Sequence, residues 1–169
     1  MHCTRRTVLG SIVATLAAGT LPTSSLLRAA EEPKRRRLAV VTTVWKDRSH
    51  AWHMAERFLH GYPKQGAWYR PPIDVVSAYV DQRPTGDLSE GRAKEFGFTI
   101  YPTIAEALRC GGKDLAVDGV LIIGEHGNYE KSEYQQTKYP RYEFFKQVVE
   151  VFRQSGHVLP VFNDKHLSW

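Results

Sequence analysis

Five short apolar runs, separated by helical or turn-rich stretches, set the tightest limit on what this sequence can fold into. Residues 38–44 read LAVVTTV, 73–80 IDVVSAYV, 98–101 FTIY, 117–123 VDGVLII and 158–162 VLPVF. Each has strand length, and most are rich in β-branched residues. They lack strict polar–apolar alternation, as strands covered on both faces do. Helical spacing fills the gaps. In residues 49–60, Trp52, Ala55, Phe58 and Leu59 share one face behind Ser49, a suitable N-cap. Residues 90–96 read as a short helix stopped by Gly97. Residues 103–109 carry a capping box, Thr103 with Glu106, and end at Gly111 and Gly112. Residues 141–154 turn Phe144, Phe145, Val148, Val149 and Phe152 inward, and Gly156 ends them. Residues 61–72 and 124–140 read as long loops.

Strand–helix alternation of this kind implies parallel strands with helices on both faces. Right-handed crossovers narrow the topology to a doubly wound sheet. The expected fold class is α/β, a Rossmann-like doubly wound parallel sheet of about five strands.

The first thirty residues read as an address rather than as part of that fold. Arg5 and Arg6, followed by Val8-Leu9 and an apolar run to about Leu21, resemble a twin-arginine (Tat) export signal. The run is shorter than the ~20 residues a membrane-spanning helix needs. The expected organisation is a signal over residues 1–30, a charged linker over 31–37 and one domain over 38–169. The signal implies the Tat translocase as a partner and a periplasmic or extracytoplasmic location. Membrane attachment would come only through an uncleaved signal.

Charge argues against nucleic acid as a partner. The signal region contributes three arginines and no acid, which leaves 20 basic against 18 acidic residues in the rest of the chain. A nucleic-acid-binding domain would carry a basic face of its own. Of the two cysteines, Cys3 lies in the signal and Cys110 remains, so no disulfide framework forms. Cys110 reads as a packed thiol near a helix end. No Gly-x-Ser-x-Gly elbow occurs, which argues against a serine hydrolase.

In an open parallel sheet, ligands bind beyond the carboxyl ends of the strands, at the switch point. The residues there are Lys46, Asp47, Arg48, His50 and His53 after the first strand, with Thr43 and Trp45 in its turn, Asp81 after the second, Glu125, His126 and Asn128 after the fourth, and Asn163, Asp164, Lys165 and His166 after the fifth. Asp81 sits where an acid would accept the ribose hydroxyls of NAD, and it would repel the 2′-phosphate of NADP. The first turn, residues 42–49 (TTVWKDRS), contains no glycine, so the dinucleotide fingerprint is absent.

Arg92-Ala93-Lys94-Glu95-Phe96-Gly97, then Tyr101-Pro102-Thr103 with Glu106-Ala107-Leu108, then Val117-Asp118-Gly119-Val120-Leu121-Ile122-Ile123, resemble the N-terminal half of the Gfo/Idh/MocA oxidoreductases. Asn163-Asp164-Lys165-His166-Leu167 is similar to that family's Glu-Lys-Pro segment. The resemblance implies an NAD- or NADP-dependent oxidoreductase acting on a small, sugar-type molecule. Thr43, Trp45, Asp81, Glu125 and Asp164 would then face the cofactor, and Lys165 and His126 would carry the chemistry. Asp164 and His166 depart from the family's Glu and Pro. The family's second α/β domain has no counterpart in this sequence, which implies a part of a longer protein.

Two other readings use the same residues. A metal-assisted hydrolase or lyase would draw ligands from Asp47, His50, His53, Glu125, His126, Asp164 and His166, although no recognised metal motif is present. A non-catalytic binding protein would keep the fold and have lost the cofactor turn.

Overall fold

The computed structural model describes residues 34–168. The expected export signal, residues 1–30, lies outside the described residues. A five-stranded, wholly parallel sheet organises the rest. Its strands are β1 (Arg36–Thr42), β4 (Ile73–Val80), β5 (Thr99–Ile100), β6 (Gly119–Ile123) and β7 (Val161–Asn163), in the order β5-β4-β1-β6-β7. That is the first five strands of the doubly wound order, with the switch point between β1 and β6. The expected Rossmann-like α/β architecture is the one observed.

The central strand shows why both faces are covered. Ala39 and Val41 point into one apolar layer, under α4 (Ile104–Arg109) and α5 (Arg141–Ser155). Val40 points into the other, under α1 (His50–Met54) and α2 (Glu56–Leu59), with Phe98 and Trp45. Period-two alternation between two apolar layers makes a strand apolar throughout. The helix α3 (Ser89–Phe96) ends at Gly97, whose left-handed backbone (φ 75°) suits glycine. Thr103 caps α4 by accepting the Glu106 N–H at 3.1 Å, as its capping box requires. On α5, Phe144, Val148 and Phe152 are buried as expected, while Phe145 and Val149 lie at the half-buried margin.

Four expectations need correcting. Arg36 and Arg37 belong to β1 rather than to the linker: Arg36 donates its N–H to the Pro72 carbonyl and Arg37 donates its own to Asp118. The last strand starts at Val161 rather than at residue 158. Pro160 has no N–H for the ladder, although its carbonyl accepts from Val120 at 3.0 Å. The helix over residues 49–60 divides at Ala55, where the Phe58 N–H reaches only three residues back, to the Ala55 carbonyl. The loop over residues 61–72 contains a hairpin, β2 (Tyr62–Lys64) with β3 (Ala67–Tyr69). Its two-residue turn, Gln65-Gly66, has positive φ at both positions (52° and 79°), which matches the sheet twist. Glutamine in place of the usual Asn or Asp hides that turn in the sequence.

Candidate functional site at the switch point

The carboxyl ends of β1, β6 and β7 lie side by side, and the chain ties them together. Thr43 donates its backbone N–H to the Ile123 carbonyl at 3.2 Å and its hydroxyl to the Glu125 carbonyl. Asp164 donates its N–H to the Ile122 carbonyl at 3.0 Å. Ser49 caps α1 by accepting the Trp52 N–H at 3.3 Å, which starts the helix at His50. The His50 ring thereby meets the end of β7.

His50 Nδ1 lies 2.5 Å from Asp164 Oδ2, and the Asp164 side chain is only 11% exposed. In the tautomer that donates Nδ1–H to this carboxylate, Nε2 is the ring's acceptor. His126 stands edge-on to His50, with ring centres 5.2 Å apart. Its backbone is left-handed (φ 67°), unusual for a residue other than glycine, and Gly127 follows at φ 105°. Burial lowers its affinity for a proton, and the neighbouring His50 and Lys46 add to that, against a smaller pull from Glu125 and Asp164. The imidazole is therefore neutral at physiological pH. His126 Nε2 is shielded from water and has no hydrogen-bond partner among the described residues. The same holds for Asn163 Oδ1 at the end of β7. Orphaned polar atoms of this kind are costly unless a ligand or water meets them.

Glu125 is held by Arg141, the first residue of α5, at 2.5 Å. Asp81 follows β4 and accepts two phenols, Tyr79 at 2.6 Å and Tyr129 at 2.7 Å. Burial first, and the Asp81 carboxylate second, push both phenols well above their ordinary 10.0. Gln82 and Asn128 exchange hydrogen bonds at 2.9 and 3.1 Å. The loop after β6 is thus latched onto the end of β4.

Of the residues expected at this edge, His50, Glu125, His126 and Asp164 come together. Lys165 is exposed beside them, with its carbonyl accepting from the Asn163 amide at 2.6 Å. Trp45 is not a crevice residue. Its indole is fully buried, stacked on Phe98 at 5.7 Å, and donates to Glu56. Asp47 is exposed against Arg48, His53 packs on Trp52, and His166 pairs with the Ser168 hydroxyl. Among the described residues, no three His, Cys, Asp or Glu side chains converge to hold a metal ion. The metal-assisted reading therefore finds no ligand set there.

A nicotinamide dinucleotide fits only one half of the crevice. Asp81 stands at the right strand end for a ribose. The turn after β1 does not suit a pyrophosphate: Thr43, Val44 and Trp45 are all buried, and the Thr43 hydroxyl is spent on Glu125.

Arg141, Tyr79 and Gln82 were not among the residues expected at the site. Arg141 leaves one signal in the sequence: a cation in the first turn of a helix opposes the helix dipole and needs a reason to be there.

A groove of about 1200 Å³ lies elsewhere, beside the amino-terminal halves of β1 and β6, lined by Leu38, Met54, Phe58, Leu121 and Phe162. It is mostly apolar and contains none of the paired acid–base groups.

Sheet order and crevice together define a Rossmann-like α/β domain with paired ionisable groups at its switch point. No family model and no curated protein matches the chain. Among solved structures, biliverdin reductase from Synechocystis sp. PCC 6803, in complex with biliverdin and NADP+, aligns with 16% identity and a TM-score of 0.35. The alignment covers 75% of this chain and 37% of that one, so this chain spans little more than a third of its length.

Proposed function

We propose that the chain binds a small, hydroxyl-bearing molecule at the switch-point crevice and performs acid–base chemistry on it. The Asp164–His50 pair beside neutral His126 carries this reading. Asp164 holds and orients the His50 ring, and His50 Nε2 takes a proton from a bound hydroxyl. The shielded Asn163 Oδ1 accepts from a second hydroxyl, and His126 Nε2 supplies the opposing polar contact. A sugar-type or hydroxy-acid ligand satisfies all three.

A second reading, an NAD- or NADP-dependent oxidoreductase, is favoured by the position of Asp81 at the end of β4 and of Lys165 beside Asp164. In that case the nicotinamide would supply the hydride acceptor, and the same histidine pair would move the proton.

The twin-arginine pattern at Arg5-Arg6 supports export as part of the proposal, placing the work outside the cytoplasm.

A melting-temperature screen of the full chain against polyols, hydroxy acids, NADH and NADPH tests the two readings. The first expects stabilisation by hydroxyl compounds that His50→Ala and Asp164→Ala each abolish. Stabilisation that survives both substitutions sinks it. Saturable NADH binding lost in Asp81→Ala establishes the second.

A further inference from the structure

The site is made of two loops that share no strand: residues 124–126 after β6 and residues 164–168 after β7. His50 meets both, by its bond to Asp164 and its edge-on contact with the His126 ring, but a ring contact alone does not fix the two loops in register. Arg141 joins both by hydrogen bonds. Arg141 is buried, and each arm of its guanidinium has its own acceptor. Nε donates to the Gly124 carbonyl at 3.0 Å, Nη2 to Glu125 Oε1 at 2.5 Å and Nη1 to the Ser168 carbonyl at 2.6 Å. The guanidinium also lies over the Tyr139 ring, 5.1 Å from its centre.

All three nitrogens are engaged by the protein, and the side chain is buried. Its placement is unfavourable twice over: it is a buried cation, and it sits at the positive end of α5. Three fixed acceptors in a planar fork are what a guanidinium satisfies and an ammonium does not.

We infer that Arg141 is the positioning residue of this site, clamping the His126 loop and the Asp164–Ser168 segment into one arrangement and pairing the Glu125 carboxylate next to His126. This rests on the acid–base reading above, but its test does not need a substrate.

The full chain is labelled with nitrogen-15, and the ring signals of His50 and His126 are assigned by single His→Gln substitutions and followed through a pH titration. Groups facing the His126 ring are His50, Lys46, Glu125 and Asp164, and these are left intact. In Arg141→Met, the freed Glu125 carboxylate attracts a proton onto His126 and the loosened loop admits water. Both effects raise its titration midpoint toward the ordinary 6.5. Arg141→Lys keeps the charge but cannot serve three acceptors, so it gives an intermediate midpoint. A purely structural role would lower the melting temperature and leave the ring midpoints of the folded protein in place. Unchanged His50 and His126 titrations in folded Arg141→Met overturn the inference. If that variant does not fold, an unchanged His126 midpoint in Arg141→Lys overturns it instead. The site reading fails separately, through the ligand screen with His50→Ala.

Discussion

Gly124→Ala probes the clamp with one methyl group. Gly124 is buried, directly after β6, and its φ is not in the left-handed region, so alanine meets no backbone strain there. The cost is steric. An added Cβ would stand 2.6 Å from Arg141 Cγ and 3.5 Å from its Cα and Cβ. Those atoms are near the backbone of α5 and cannot swing aside as a side-chain tip would. Forcing a methyl into a well-packed site costs about 1–3 kcal/mol. Removing glycine's freedom in the unfolded chain returns about 0.4–1 kcal/mol. The net loss is about 1–2 kcal/mol, which for a domain of this size lowers the melting temperature by roughly 3–10 °C. Urea unfolding should show a lower midpoint with an unchanged slope, because the surface exposed on unfolding stays the same. A midpoint equal to or above that of the parent would mean that the glycine and the α5 backbone are not in contact. The clamp geometry would then fall with it.

Trp45→Ala should cost about 3–5 kcal/mol in denaturant unfolding, because its fully buried ring stacks on Phe98; a loss below that range would put the indole outside the core. Tyr129 keeps its proton in the fold above its unfolded 10.0, so it adds stability below that pH that is lost as pH rises beyond it. Phenolate absorbance should show late-ionising tyrosines, and Tyr129→Phe should have a shallower alkaline loss of stability than the parent. His126 has the opposite sense. Its folded affinity lies below 6.5, so the unfolded chain takes up the proton first and stability falls as pH drops from 6.5 to the folded value. His126→Gln should flatten that stretch of the stability–pH curve, and an unaltered slope would contradict a shielded imidazole.

Local spacing alone determined the elements of this protein. The apolar runs around Val40, Val75 and Leu121 could only be strands covered on both sides. The Thr103–Glu106 box and Gly97 marked helix ends because caps are made by neighbours in sequence. Parallel pairing followed from strand–helix alternation and the handedness of crossovers. The hairpin at Gln65-Gly66 stayed hidden, since its turn uses a residue without the usual positive-φ preference. That strand-end residues would share one edge was legible, because the carboxyl ends of parallel strands lie side by side, but Trp45 was wrongly placed among them and Arg141 was missed.

Only the tertiary structure decided which of them meet. His50 and Asp164 are 114 positions apart, and no periodicity links them. The sheet order that puts β6 and β7 on one side of β1 brings them together. Trp45 and His126 both follow strands, yet one turned into the core and the other stayed at the edge. Asp81 looked free in the sequence and proved to be engaged by Tyr79 and Tyr129. Local structure depends on neighbours along the chain, whereas a site depends on loop closures that only the packed sheet completes.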